Sequence, residues 1–239
     1  MTHMREQEFL AAAWAPHMDF AAIEAGTSDV DVERDWHLRR AGLAAAWVRS
    51  RAADEGVGLV LRVPAHAHSY SDPRHALATF AREAVVATNK SHPCGVRGAN
   101  LVHEGHPAEI ERGMLGADGS SILVTEDPGF PIEGWAMTLG ALNLRSMRPT
   151  PDTRTAEQVE LLDRLVGNLY GGWSHPSGKR AASHYLSALA DSGMTQVVFV
   201  GSLLATAPER YDAQAIAKHS PPVWLMEAEA RLRRYTWPE

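Results

Sequence analysis

Apolar and polar positions run along the chain in blocks of changing period, and the changes mark the expected elements. Over residues 4–24, Phe9, Leu10, Ala13, Trp14, Phe20 and Ile23 follow a loose helical spacing, interrupted by Pro16 and ended by Gly26. Trp36, Leu43 and Trp47 recur at helical intervals between Ser28 or Asp29, either of which can cap the start, and Gly56, a natural stop. These two segments predict a helical N-terminal layer. "VGLVLRV" at 57–63 is short, β-branched and bounded by Gly and Pro, and predicts a strand. Asp72 before Pro73 predicts a helix start, continued by Leu77, Phe80, Ala81 and Ala84.

From 99 to 145 the pattern changes. "LVHEGHPAEIERGML", "SSILVTE" and "GWAMTLGALNL" read as three β-like stretches, the first two joined by an Asp118-Gly119 turn. They predict consecutive antiparallel strands over 109–144. Thr155 and Gln158 stand at capping-box spacing ahead of an apolar stripe at Val159, Leu162, Leu165, Val166 and Leu169. "KRAASHYLSALADSG" predicts a helix stopped by Gly193, "MTQVVFVGSLLA" a further strand, and the tail from Pro221 an amphipathic helix with basic residues in its last turn. Together these predict an α+β fold: a mainly antiparallel sheet packed by helices, with an additional helical N-terminal segment. A single domain over 1–239 is expected, with a soft boundary near 147–154.

Composition narrows the function. The net charge is −6 and the pI about 6.0, which argues against general nucleic-acid binding. Lysine is scarce, at Lys90, Lys179 and Lys218 only. The one cysteine, Cys94, forbids an internal disulfide and suits a reducing cytoplasm; with His92 two residues away it could also serve as a nucleophile. The first twenty residues lack an unbroken apolar run, and no stretch is long and apolar enough to span a membrane. A soluble, cytoplasmic protein without membrane association is the expectation.

Candidate chemistry gathers in the histidines. Of the 12, His66, His68, His75, His92, His103 and His106 fall between positions 66 and 106. At a strand end, His66 and His68 would share a face and could chelate a divalent ion such as zinc or manganese, with Asp72 and His106 completing the set and Glu126 a further oxygen donor. His92, His103 and Glu104 are the catalytic candidates around a metal-bound water. Arg97 and Arg112, with Arg145 and Arg148, could bind an anionic substrate. Simpler roles compete: Asp72 as a helix cap, His75 as a solvent-facing first-turn residue, His66 and His68 as an exposed strand end.

The residues His66, His68, Ser69, Ser71 and Asp72, between an apolar segment and "ALATFAREA", resemble the first motif of the PHP family of metal-dependent phosphoesterases. That resemblance implies metal binding by the two histidines. The Thr-Asp-His-like triplet expected next is missing from "VVATNKSHP", although His92 lies near its place. "TAEQVELLDRLVGNLYGGWSHP", after the expected strand "GWAMTLGAL", is similar to the small ferredoxin-like regulators of ribonuclease E, with Tyr170-Gly171-Gly172-Trp173 at the helix end. That second resemblance implies a non-catalytic binding protein.

Two functions are therefore expected. One is a metal-dependent hydrolase acting on a small polar or phosphorylated substrate at a His-lined cleft. The other is a regulatory or binding protein that offers Trp-rich helical surfaces to a protein partner. Homo-oligomerisation stays open in both.

Overall fold

The computed structural model describes residues 10–18, 23, 25–64, 67–88, 96–127 and 129–227. Within them the chain divides into two compact units, one of 1–130 and 141–150, the other of 131–140 and 151–239.

The first unit is built on one sheet. Its strands are β1 (Ala11–Ala15), β2 (Leu59–Arg62), β3 (Val85–Ala87), β4 (Ala99–Val102), β5 (Ser121–Thr125), β6 (Leu142–Asn143) and β7 (Arg148–Pro149). They lie in the order β3-β2-β4-β5-β1-β6-β7. Every pairing is parallel except the short β6–β7 ribbon, so the antiparallel meander expected from sequence is wrong. Two findings overturn it. Residues 107–116, inside the expected meander, form helix α3 (Pro107–Gly116), with Pro107 at its first turn and Ile110, Gly113 and Met114 buried on one face. The Asp118-Gly119 pair does turn the chain, with Gly119 at φ 74, but it joins α3 to β5 rather than strand to strand.

The N-terminal layer is also corrected. Residues 11–15 are not helical but form β1, paired on one side with β5 and on the other with β6. The helix that follows, α1 (Val30–Glu55), matches expectation: Asp29 caps it by accepting from the Asp31 amide, and Gly56 ends it at φ 66. Side chains alternate across the sheet. Ala13, Ala15, Leu61, Leu101 and Leu123 share a core with Trp36, Ala44 and Val48 of α1. On the opposite side, Val102 and Ile122 meet α3, where a Cβ at Gly113 would stand 2.5 Å from a Val102 methyl. A sheet covered on both faces explains why the β-strands read as unbroken apolar runs.

Beyond β2 the expected helix begins late. Residues 67–71 form a 3-10 turn and α2 spans only Ala78–Glu83. Asp72 does not cap it. Its carboxylate accepts from the Arg74 amide at 2.9 Å and pairs with the Arg74 guanidinium at 2.7 Å, a local turn that competes with helix formation.

The second unit is helical: α4 (Glu133–Leu139), α5 (Ala156–Asn168), α6 (Pro176–Asp191), α7 (Gln196–Thr206) and α8 (Ala213–His219). The capping box of α5 is present, Thr155 accepting from the Gln158 amide at 3.1 Å and donating its own amide to the Gln158 side chain at 3.0 Å. Residues expected as strands, 134–139 and 196–205, are the helices α4 and α7. Both are buried around most of their circumference, so neither shows an amphipathic period, and short apolar runs of this kind fit strand and helix equally. Thr195 caps α7 through the Val198 amide at 3.3 Å. The two helices cross backbone to backbone: a Cβ at Gly134 would fall 2.2 Å from the Val198 carbonyl oxygen, and one at Gly201 2.4 Å from the Trp135 nitrogen. Phe199 stacks on Trp224 at 5.0 Å within a core that includes Leu165, Ala182 and Leu186.

Two substitutions test this packing. Gly134→Ala forces the α4–α7 crossing apart and is expected to lower stability by about 3 kcal/mol, the upper end for overpacking. Phe199→Ala opens a cavity beside Trp224 and is expected to cost about 3–5 kcal/mol. Denaturant midpoints compared with wild type check both; an unchanged midpoint for either contradicts the packing described.

Candidate functional site

In parallel strands all carboxyl ends lie on one edge, and the loops leaving β1, β4 and β5 therefore meet there. That edge carries an unusual set of polar side chains. Arg40, on α1, is 2% exposed, and places one guanidinium nitrogen 2.7 Å from Glu104 Oε1 and the other 2.7 Å from the Glu126 carbonyl oxygen. Glu126 in turn accepts from the His17 amide at 2.8 Å through Oε2. One buried cation thus ties the loops after β4 and β5 to α1. Burial pulls the Arg40 pKa below its ordinary value, and the carboxylates of Glu104, Glu126 and Asp127 pull it back.

Glu104 sits at φ 47, in the left-handed region that non-glycine residues rarely enter. The Thr125 hydroxyl holds that turn by accepting from the Glu104 amide at 2.8 Å. The neighbouring Gly105 leaves no room for a side chain, since a Cβ there would lie 2.3 Å from a Val102 methyl. The strained turn presents the Glu104 carboxylate, 39% exposed, against Arg40.

His103, next to it, is almost fully buried, and its Nδ1 lies 2.8 Å from the Tyr70 hydroxyl. Burial, then the nearby Arg40, His75 and His37, lower the His103 pKa to about 3. Burial and Glu104 push the Tyr70 hydroxyl up, so it stays protonated. The Tyr70 hydroxyl and the neutral His103 imidazole thus share one buried hydrogen bond, whose direction follows the imidazole tautomer. His75, half-buried, packs its ring 4.3 Å from Tyr70 and 5.8 Å from His103. On the other flank His17 and His37 stand edge to face at 5.2 Å, and burial with Arg40 and His37 lowers the His17 pKa to about 4. His37 Nδ1 is buried with no hydrogen-bond partner among the described residues.

The residues expected from sequence distribute unevenly around this edge. His103 and Glu104 are in the cluster. His66, His92 and Cys94 lie outside the described residues. His68 belongs to the 3-10 turn Ala67–Ser71 rather than to a strand. Asp72 is occupied by Arg74, and exposed His106 precedes α3 without capping it. Arg97 lies exposed just before β4, at the opposite, amino-terminal edge, and Arg112 sits on α3. Arg145 pairs with the buried Glu33 at 2.5 Å, and Arg148 is exposed in β7. Among the described residues no three His, Cys, Asp or Glu side chains gather as a metal ion requires. Arg40, Tyr70, His17 and His37 were not singled out from sequence. The one available signal was His37 and Arg40 three residues apart on a helix, beside a His that follows β1.

Trp14, Trp36, Trp135, Trp173 and Trp224 are buried, and Trp47 packs against the first unit's core. Trp237 lies outside the described residues. "GWAMTL", expected as the strand before α5, is the buried helix α4, which removes the strand–helix order behind the resemblance to the ribonuclease E regulators. No family model matches the chain, and no curated protein or solved structure matches it.

The buried imidazoles give the unit a defined acid response. An unfolded His103 titrates near 6.5 and the folded one at about 3. The unfolded state therefore binds the extra proton, and stability that is intact above pH 6.5 is lost as pH falls towards 3. At pH 5 the loss from this residue is about 2 kcal/mol. His103→Gln, which can still hydrogen-bond Tyr70, should shrink the stability difference between pH 7.5 and pH 5 by that amount in urea titrations. An undiminished difference would mean His103 is not held neutral.

Proposed function

We propose that the first unit is a hydrolytic enzyme that takes a small polar substrate, an ester or phosphoester, at the carboxyl edge of its parallel sheet. One juxtaposition supports this reading: the part-exposed Glu104 carboxylate, fixed by buried Arg40 on a left-handed turn, beside imidazoles that stay neutral. Ligands of open parallel sheets bind outside the carboxyl ends of the strands, and strained backbone concentrates at working sites.

In this reading Glu104 is the general base. It takes a proton from water, the water oxygen bonds to the electrophilic carbon or phosphorus, and the bond to the leaving group breaks. The leaving oxygen takes that proton back from Glu104, or one from solvent, while His75, whose Nδ1 accepts from the Leu77 amide at 3.1 Å, donates a hydrogen bond from Nε2 to the charge developing there. Arg40 orients Glu104, and Tyr70 and His103 hold His75 in place; these three are positioning residues. No step is routed through a metal ion, because the described donors do not form a ligand set.

Turnover of p-nitrophenyl esters and p-nitrophenyl phosphate by the full chain tests the proposal. Glu104→Gln is expected to lower kcat by about a hundredfold or more. That change also leaves Arg40 buried without a charged partner, so a second variant is needed. His75→Asn, at a half-buried position, should lower kcat about tenfold or more with the circular dichroism unchanged. Equal turnover in wild type and both folded variants would refute the assignment.

A further inference from the structure

The second unit contains a cavity of about 470 Å³ between the turn at 172–174, the turn at 209–212 and the helices α6 and α8. Ligand sites in proteins commonly have this volume. Two of the chain's three lysines, Lys179 on α6 and Lys218 on α8, line it, with His219 beside them. Neither lysine has an ion-pair partner among the described residues, in a chain where acidic residues outnumber basic ones by 29 to 23.

The other charged side chains of the cavity are Glu209, Arg210 and Asp212. Arg210 lies 3.3 Å from Glu209 through Nε and donates to the Tyr170 carbonyl at 3.1 Å through Nη1. Asp212 accepts from the Ala215 amide at 2.9 Å and caps α8. The wall is aromatic: Trp173 is buried, its indole N–H donating to the Arg210 carbonyl at 2.6 Å, and Tyr211 is half-buried.

We infer that this cavity is an anion site, separate from the cluster on the sheet edge, that binds a small phosphomonoester. Arg210 also lines the cavity, its Nη1 bound to the Tyr170 carbonyl and its Nε facing Glu209. The cations without an ion-pair partner among the described residues are two ammonium groups, compact point charges of the kind that hold phosphate. A phosphomonoester carries nearly two negative charges near neutral pH, matching the two lysines and relieving their mutual repulsion. The volume exceeds what inorganic phosphate fills, and the aromatic wall suits a flat or ring-shaped organic body such as a sugar or a nucleoside.

Isothermal titration calorimetry on the full chain tests this with adenosine 5′-monophosphate, ribose 5-phosphate and unphosphorylated adenosine. At least one of the two monoesters should bind and adenosine should not, with affinity falling as salt is added. Lys179→Met and Lys218→Met each remove an exposed side chain, so the fold is not at stake; each is expected to weaken binding about tenfold and the pair to abolish it. Glu104→Gln should leave binding intact. The inference fails if neither monoester binds at millimolar concentration. It also fails if the double lysine variant binds as wild type does, or if Glu104→Gln removes the binding instead.

Discussion

The first unit depends on β1 lying inside the sheet. An inner parallel strand must have its amides and carbonyls paired on both sides, because both faces are covered and water cannot serve. β1 meets this with β5 on one side and β6 on the other. The edge beyond it is closed by side chains: the Trp14 indole donates to the Thr150 hydroxyl at 2.8 Å, and that hydroxyl donates to the Ala141 carbonyl at 2.7 Å. The Trp36 indole donates to the Pro16 carbonyl at 2.9 Å and fixes where the chain leaves the strand. With β1 so placed, the loops after β1 and β5 are neighbours, and His17 reaches Glu126. Without it, the acidic loop after β5 would face no histidine.

The second dependence is electrostatic. A buried arginine is tolerated only with its charge and its donors satisfied. Arg40 meets that condition through the Glu104 carboxylate and the Glu126 carbonyl, which belong to different loops. The cation in turn explains its surroundings. It opposes protonation of His17, His37 and His103, each of which burial already disfavours. The result is a ring of neutral imidazoles around a fixed ion pair. Uncharged at neutral pH, these imidazoles do not compete with Arg40 for the carboxylates around it.

What the sequence revealed follows the range of the interactions. Asp29, Gly56, the Thr155–Gln158 box and Gly193 act within a few residues of themselves, and their roles were legible. The expected antiparallel sheet failed because strand direction is set by partners far apart in the chain: β1 finds β5 more than a hundred residues away. Ala-rich β1 reads as helix by propensity, and the sheet overrides it. α4 and α7 lost their period because α4 and α7 bury each other at Gly134 and Gly201. The site was half legible for the same reason. His103 and Glu104 announce chemistry by type, whereas Arg40 and Tyr70 gain meaning only once α1 and the 67–71 turn are laid against the end of β4. The pairing of His66 with His68 rested on strand geometry, and the turn at 67–71 takes His68 out of a strand.

The division of labour between arginine and lysine extends this logic. Arg40, Arg62 and Arg154 are nearly buried, and each is tied to a named acceptor: Glu104, Asn100 and Asp152. Arg145 is bound twice to Glu33, itself fully buried. The planar guanidinium, with five donors and weak hydration, is suited to such internal ties. Lysine makes none of them among the described residues, and two of its three copies face one cavity. Lys179 and Lys218 are exposed and have no ion-pair partner among the described residues. A compact, strongly hydrated ammonium on a flexible stem suits such exposed positions, as the guanidinium suits the internal ties.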